Sequence, residues 1–132
     1  MARSNLETVQ ELYAAFGRGD LPAMFVLLDP NIQWDYSGPS EIPWAGSFRG
    51  HDGVEKFLAA ITANVEIERF ESHSFIAQGE NVVVLGFERV RVKRTGRVFE
   101  THWSHAYTLS GGKIATFREY TDTAATEVAF QK

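Results

Sequence analysis

Apolar residues recur along this chain at two spacings, and the change from one to the other divides it. In the first half Leu6, Val9, Leu12, Tyr13 and Phe16 follow at helical intervals behind Ser4 and Glu7, a capping-box pair. Gly17 and Gly19 supply the stop. Asp20 then caps a shorter helix carrying Leu21, Met24, Phe25 and Leu28, with Pro22 tolerated in its first turn and Asp29-Pro30-Asn31 ending it. Ile32, Trp34 and Tyr36 alternate as a short strand. Residues 37–50 read as a loop, rich in Gly and Pro yet carrying Ile42, Trp44 and Phe48, so it is expected to fold over something. Asp52 and Glu55 repeat the capping pattern before a third helix with Val54, Phe57, Leu58 and Ile61.

From Glu66 onward the period is two. Four long strands are predicted at about 66–78, 82–93, 98–110 and 113–122, joined by turns at Gly79-Glu80-Asn81, Thr95-Gly96-Arg97 and Gly111-Gly112. Helices first and hairpin-linked strands later indicate an α+β fold in one domain, residues 1–132. The expected architecture is a curved antiparallel sheet with three N-terminal helices over its concave face. Strands this long tend to curl, and a curled sheet closed by helices leaves a pocket.

Segment 101–125, THWSHAYTLSGGKIATFREYTDTAA, carries the candidate chemistry. Side chains alternate across a strand, so Phe99, Trp103, His105, Tyr107 and Leu109 share one face. On the second arm Phe117, Glu119 and Thr121 share one parity, and Arg118, Tyr120 and Asp122 the other. A histidine and an acid are thereby set among large rings, where such groups are rarely buried without a partner. Each residue alone equally fits a static core or a solvated strand end.

Composition narrows the classes. Of 132 residues, 13% are aromatic, including Phe 10 and Trp 3, which suggests a cavity walled by rings. The net charge of −4 and the confinement of Arg89, Arg91, Lys93, Arg94 and Arg97 to one hairpin favour a solvated edge over a nucleic-acid surface. There is no Cys, and the four His residues lack ligand spacing, so no metal or cofactor is expected. With no apolar run of membrane-spanning length and no charged-then-apolar leader, a soluble cytoplasmic protein is the expectation.

VQELYAAFGRGD, NIQWDYSGP with WAGSFRGHDGVEKFL, and HWSHAYTLSGGKIATFREYTDTAA together resemble the SnoaL-like branch of the nuclear-transport-factor-two-like fold, which includes polyketide cyclases and relatives of ketosteroid isomerase. The resemblance implies a cone-shaped α+β domain. It places Asp35 where the isomerase branch has its general base. The oxyanion donors of that branch are a Tyr on the first helix and an acid on the penultimate strand, matched here by Leu12 (Tyr13 one step on) and His105. In the cyclase branch the acid–base residue is a late Asp, matched by Asp122. A bulge would be required for Asp122 and Glu119 to enter the pocket together.

The function expected is cofactor-independent proton transfer, of isomerase, cyclase or lyase type, on an apolar cyclic carbonyl compound. Catalysis is assigned to His105, Asp122, Asp35 and Glu119, and ligand contact to Tyr13, Trp34, Trp44, Trp103, Tyr107 and Phe117. A non-catalytic binding or dimerisation module of the same fold is the alternative. Val83, Leu85 and Phe87, opposite in parity to Val82, Val84, Val90 and Val92, give the sheet a second apolar face and suggest a homodimer. No nucleic-acid or membrane partner is expected.

Overall fold

A computed structural model describes residues 3–131. Helix α1 (Asn5–Gly17) begins on the expected capping box: Ser4 Oγ accepts from the Glu7 amide at 3.1 Å, and Glu7 Oε1 accepts from the Ser4 amide at 2.9 Å. Helix α2 (Leu21–Phe25) is capped by Asp20 and is shorter than its apolar pattern, because Leu28 already belongs to strand β1 (Leu28–Tyr36). Strand β2 (Gly46–Arg49) lies inside the segment expected to be a loop and pairs antiparallel with β1. Helix α3 (Gly50–Asn64) starts from Arg49 with no side-chain cap, so Asp52 and Glu55 fall within its body and the second capping box does not form.

Strands β3 (Val65–Gln78), β4 (Asn81–Val92), β5 (Val98–Ser110) and β6 (Lys113–Thr121) stand close to their expected bounds. A fourth helix, α4 (Thr123–Phe130), follows β6 and was not anticipated. The six-stranded sheet runs β2-β1-β6-β5-β4-β3. It is not wholly antiparallel. β1 lies parallel to β6, because the crossover from β1 through α3 and the β3–β5 meander returns β6 to the sheet's middle in β1's direction.

The curved α+β architecture holds, and its core lies between the helices and the concave face. Val82, Val84, Val90 and Val92 of β4 are 0–2% exposed there, as are Ile32 and Ile114. At the centre of β4 is Gly86. A Cβ at this position would come within 2.1 Å of the Trp103 ring and 2.2 Å of the Glu71 carbonyl, so only a glycine admits the indole across the strand. The basic hairpin does more than edge the sheet. Arg94 and Thr95 donate to the carbonyls of Phe130 and Ala129, the latter at 2.7 Å, and Arg97 donates to Val128 at 3.3 Å, so the β4–β5 turn closes the C-terminus of α4. Among the described residues no helix is long and apolar enough to cross a membrane.

Candidate functional site

Between the helices and the concave face lies a cavity of about 520 Å³. Leu12, Tyr13 and Phe16 of α1 and Met24 of α2 form one wall, and Phe57, Leu58 and Ile61 of α3 another. The sheet contributes Trp34, Val90, Phe99 and Phe117, and the 37–45 segment reaches in with Trp44. Helical spacing puts each helix's apolar stripe on the side facing the sheet. The polar lining is sparse: Tyr13, Tyr107, His105, Glu119, Glu88, and Glu55 with Thr62 from α3. Among the described residues no Lys or Arg lines it.

Four of these polar groups form a chain. Tyr107 Oη lies 2.7 Å from Tyr13 Oη, which lies 2.6 Å from His105 Nδ1. On the ring's other side His105 Nε2 is 3.4 Å from Glu119 Oε1. Register explains the last approach, since His105 of β5 and Glu119 of β6 are directly opposite. Burial above all pushes both phenols well above their ordinary values, so they remain protonated donors. If Tyr13 donates to Nδ1, the proton of the neutral imidazole sits on Nε2 and faces the carboxylate. The 3.4 Å separation is an ion-pair distance rather than a hydrogen bond, and Nε2 has no hydrogen-bond partner. His105 is thus tethered on one side and uncommitted on the other.

Rings hold the imidazole in place. Trp103 stacks on it with centroids 4.0 Å apart, and Phe117 meets it edge-on at 4.9 Å. Trp103 itself packs beside Phe70 at 5.0 Å and does not line the cavity, because Gly86 lets it sink against the sheet. It therefore stands behind His105 and supports that ring rather than the cavity surface. Trp34, stacked on Phe117 at 3.8 Å, and Trp44, edge-on to Phe130 at 5.7 Å, do reach the lining.

Two acids expected in the pocket lie elsewhere. Asp35 sits between the buried Trp34 and Tyr36, so strand alternation turns it to the outer face. There it accepts from Gln33 Nε2 at 2.8 Å and faces Arg118 at 3.7 Å. Asp122 caps α4, its Oδ1 accepting from the Ala125 amide at 3.0 Å. The bulge that β6 does contain falls beside the turn, between the pairs Thr108–Thr116 and Leu109–Ile114, too early to turn Asp122 inward.

Glu88 was missed. It lies on β4, opposite Thr101 of β5 and Phe70 of β3, and projects into the cavity. Among the described residues its one hydrogen-bond partner is the Thr101 hydroxyl, which donates at 3.5 Å. Burial first, then the charge of Glu119, pushes its carboxyl up to about 8 against the weaker effect of Thr101. The signal was available in the run Val84, Gly86, Glu88, Val90, a carboxylate on an otherwise apolar parity. Arg89 and Arg91 beside it made the segment read as a solvated edge.

Residues 9–117 match the family model of the SnoaL-like domain. An uncharacterized protein of Mycobacterium tuberculosis is 30% identical over 94% of each chain. An NTF2-like protein of Burkholderia xenovorans is 38% identical over 96% of this chain and 95% of its own, with a TM-score of 0.88. TerC, co-crystallized with polyporic acid, is 26% identical over 97% and 98%, with a TM-score of 0.82.

Proposed function

This chain belongs to the SnoaL-like domain family, and from that premise we propose that it is a cofactor-independent acid–base enzyme acting on an apolar cyclic carbonyl compound. The observation that carries the reading is the Tyr107–Tyr13–His105–Glu119 chain ending in an apolar cavity. Glu119 takes a proton from the carbon next to the carbonyl. His105, fixed by Tyr13, faces Glu119 with Nε2 and positions it. The dry, ring-lined wall keeps each electrostatic contact strong and sets the ligand's orientation. The co-crystallization of the structurally similar TerC with polyporic acid supports a small-molecule ligand.

Hydrogen–deuterium exchange into phenyl-substituted cyclohexanones in D₂O tests the proposal without knowledge of the natural product. Wild type is expected to accelerate exchange next to the carbonyl, and Glu119→Gln to lose about 100-fold or more of that rate. Equal rates with and without wild-type protein would refute the reading. His105→Ala is expected to lower exchange far more than thermal stability. The reverse pattern would support the static binding module instead.

A homodimer through the outer sheet face belongs to the same proposal. Ile76, Leu85 and Tyr120 are 54%, 41% and 52% exposed in adjacent rows of that face, beside half-buried Val83 and Phe87. Sedimentation at micromolar concentration should give twice the 14.8 kDa chain mass, and Leu85→Asp should return it to one.

A further inference from the structure

The acids of the cavity are unevenly answered. Glu55, Glu88 and Glu119 put three carboxyls on its lining, and among the described residues no Lys or Arg joins them. Glu119 has the His105 imidazole 3.4 Å away. Glu88 has no such partner. The Thr101 hydroxyl donates to its Oε2 at 3.5 Å, and Phe70 of β3 stands on its other side. Half-buried, the carboxyl is within reach of a ligand in the cavity. Burial and then the charge of Glu119 push it up to about 8, and a neighbouring cation would offset both.

A second group on the sheet lacks a partner. Trp34 lines the cavity and is 4% exposed, yet among the described residues nothing accepts from its Nε1. An indole N–H can only donate, and leaving it buried and unpaired is costly. An acceptor on a ligand would complete it. Strand pairing sets Trp34 beside Phe117 of β6, two residues before Glu119. Glu88 comes from the far side of β5, opposite Thr101, whereas Glu119 lies opposite His105, four residues along. The unpaired donor and the unanswered acid thus address different atoms of one ligand, an acceptor and a cation.

We propose, resting on the proton-transfer reading, that the substrate is an apolar cyclic carbonyl compound bearing a protonated amine, with its ammonium against Glu88 and its carbonyl oxygen on the Trp34 indole. The ammonium supplies the charge that Glu88 lacks, and Glu88 releases its proton to solvent as the amine docks. The indole donor suits a carbonyl oxygen that gains negative charge while Glu119 removes the α proton. The same lining refuses carboxylates and phosphates. Each would carry a negative charge into an apolar site beside acids, with no Lys or Arg among the described residues to meet it.

Calorimetric titration at neutral pH with phenylcyclohexylamine, phenylcyclohexanol and phenylcyclohexanecarboxylate tests the preference, since these share a ring system and differ in charge. The amine is expected to bind about ten-fold or more tightly than the alcohol, and the alcohol more tightly than the carboxylate. Repeating the amine titration in buffers of different ionisation heat should show a proton released by wild type and none by Glu88→Gln. Glu88→Gln should also lose the amine's advantage while holding the alcohol within about three-fold of its wild-type affinity. An alcohol or carboxylate bound as tightly as the amine, an amine preference that survives Glu88→Gln, or no amine binding at millimolar concentration overturns the role of Glu88. Trp34→Phe should weaken phenylcyclohexanone by about ten-fold and leave the amine preference in place. Unchanged ketone affinity in that variant overturns the placement of the carbonyl. Deuterium exchange into phenylcyclohexanone is followed in the same samples. Its absence from a wild type that still prefers the amine overturns the proton-transfer reading and leaves the cation site standing.

Discussion

Strands β4 to β6 carry charge on both faces of the sheet, and the two faces treat it differently. On the outer face, acids meet arginines. Glu68 binds Arg89 at 3.0 Å and Arg91 at 2.8 Å, Glu71 binds Arg69, Glu100 binds Arg89, and Asp35 faces Arg118. Hydrogen bonds from Arg91 and Arg89 hold Glu68 below its ordinary value, and His73 with Arg69 does the same for Glu71. On the inner face Glu88 and Glu119 meet no Lys or Arg among the described residues, and Glu88 is pushed upward instead. One strand, β4, thus presents Arg89 to paired acids and Glu88 to a hydrophobic cavity one residue apart. The difference shows where the molecule stores reactivity. A carboxylate already satisfied in water has little to give a substrate, whereas an uncompensated one in a dry site does.

The comparison can be broken most severely at the support of the inner face. Trp103→Ala should lower unfolding free energy by about 3–5 kcal/mol in urea melts, since it empties the stack behind His105. Gly86→Ala should cost about 1–3 kcal/mol by forcing a methyl into the same indole. A neutral result for both would mean that the strand and ring are not packed as described.

Next in size is the pH dependence of Glu88. The folded chain keeps this proton up to about pH 8, while an unfolded glutamate loses it near 4.5. Between those values the folded state binds more protons, so stability falls as pH rises through that window and levels off above it. Glu88→Gln should flatten this slope and raise the melting temperature at pH 9 by on the order of 5 °C relative to wild type. A parallel pH profile in the two proteins would show that Glu88 ionises freely.

The outer face should respond least. Asp122→Ala removes the cap of α4 and is expected to cost about 1 kcal/mol without altering α-carbon exchange. Asp35→Asn loses a pair with the largely exposed Arg118, and should stay within about 0.5 kcal/mol of wild type in the same melts. If either change abolished exchange, the division into an inner reactive face and an outer satisfied one would fail.

Local pattern was enough to read much of this chain. The Ser4–Glu7 cap, the 3.6-residue stripe of α1 and the period-two runs of β3 to β6 are set by neighbours a few residues apart, and they formed where expected. The shared face of Trp103, His105 and Tyr107 on β5 followed from alternation alone, as did the common parity of Phe117 and Glu119 on β6; the register that sets Glu119 opposite His105 came from the structure. Helix α4 escaped notice because its sequence, TAATEVAF, has a weak stripe, and it is held from outside by Arg94, Thr95 and Arg97. Asp122 was misplaced for the same reason: without α4 in view, its role as a cap could not be seen.

What the sequence by itself determined was the order of elements and the parity of each strand, because both depend on steric alternation within the chain. Only the tertiary structure decided which acids share a cavity. Whether Asp35 or Glu88 meets His105's cavity depends on how β1 and β4 are seated in the sheet, and β1 is seated against β6 by pairs distant in the chain, such as Asp35 with Arg118. The parallel return of β6 beside β1 set Asp35 against Arg118, and the seating of Trp103 over Gly86 backed His105 with a ring. The environment that keeps a proton on Glu88 comes from strands β1, β3, β4, β5 and β6 and helices α1 to α3 closing together, and no local stretch of residues contains it.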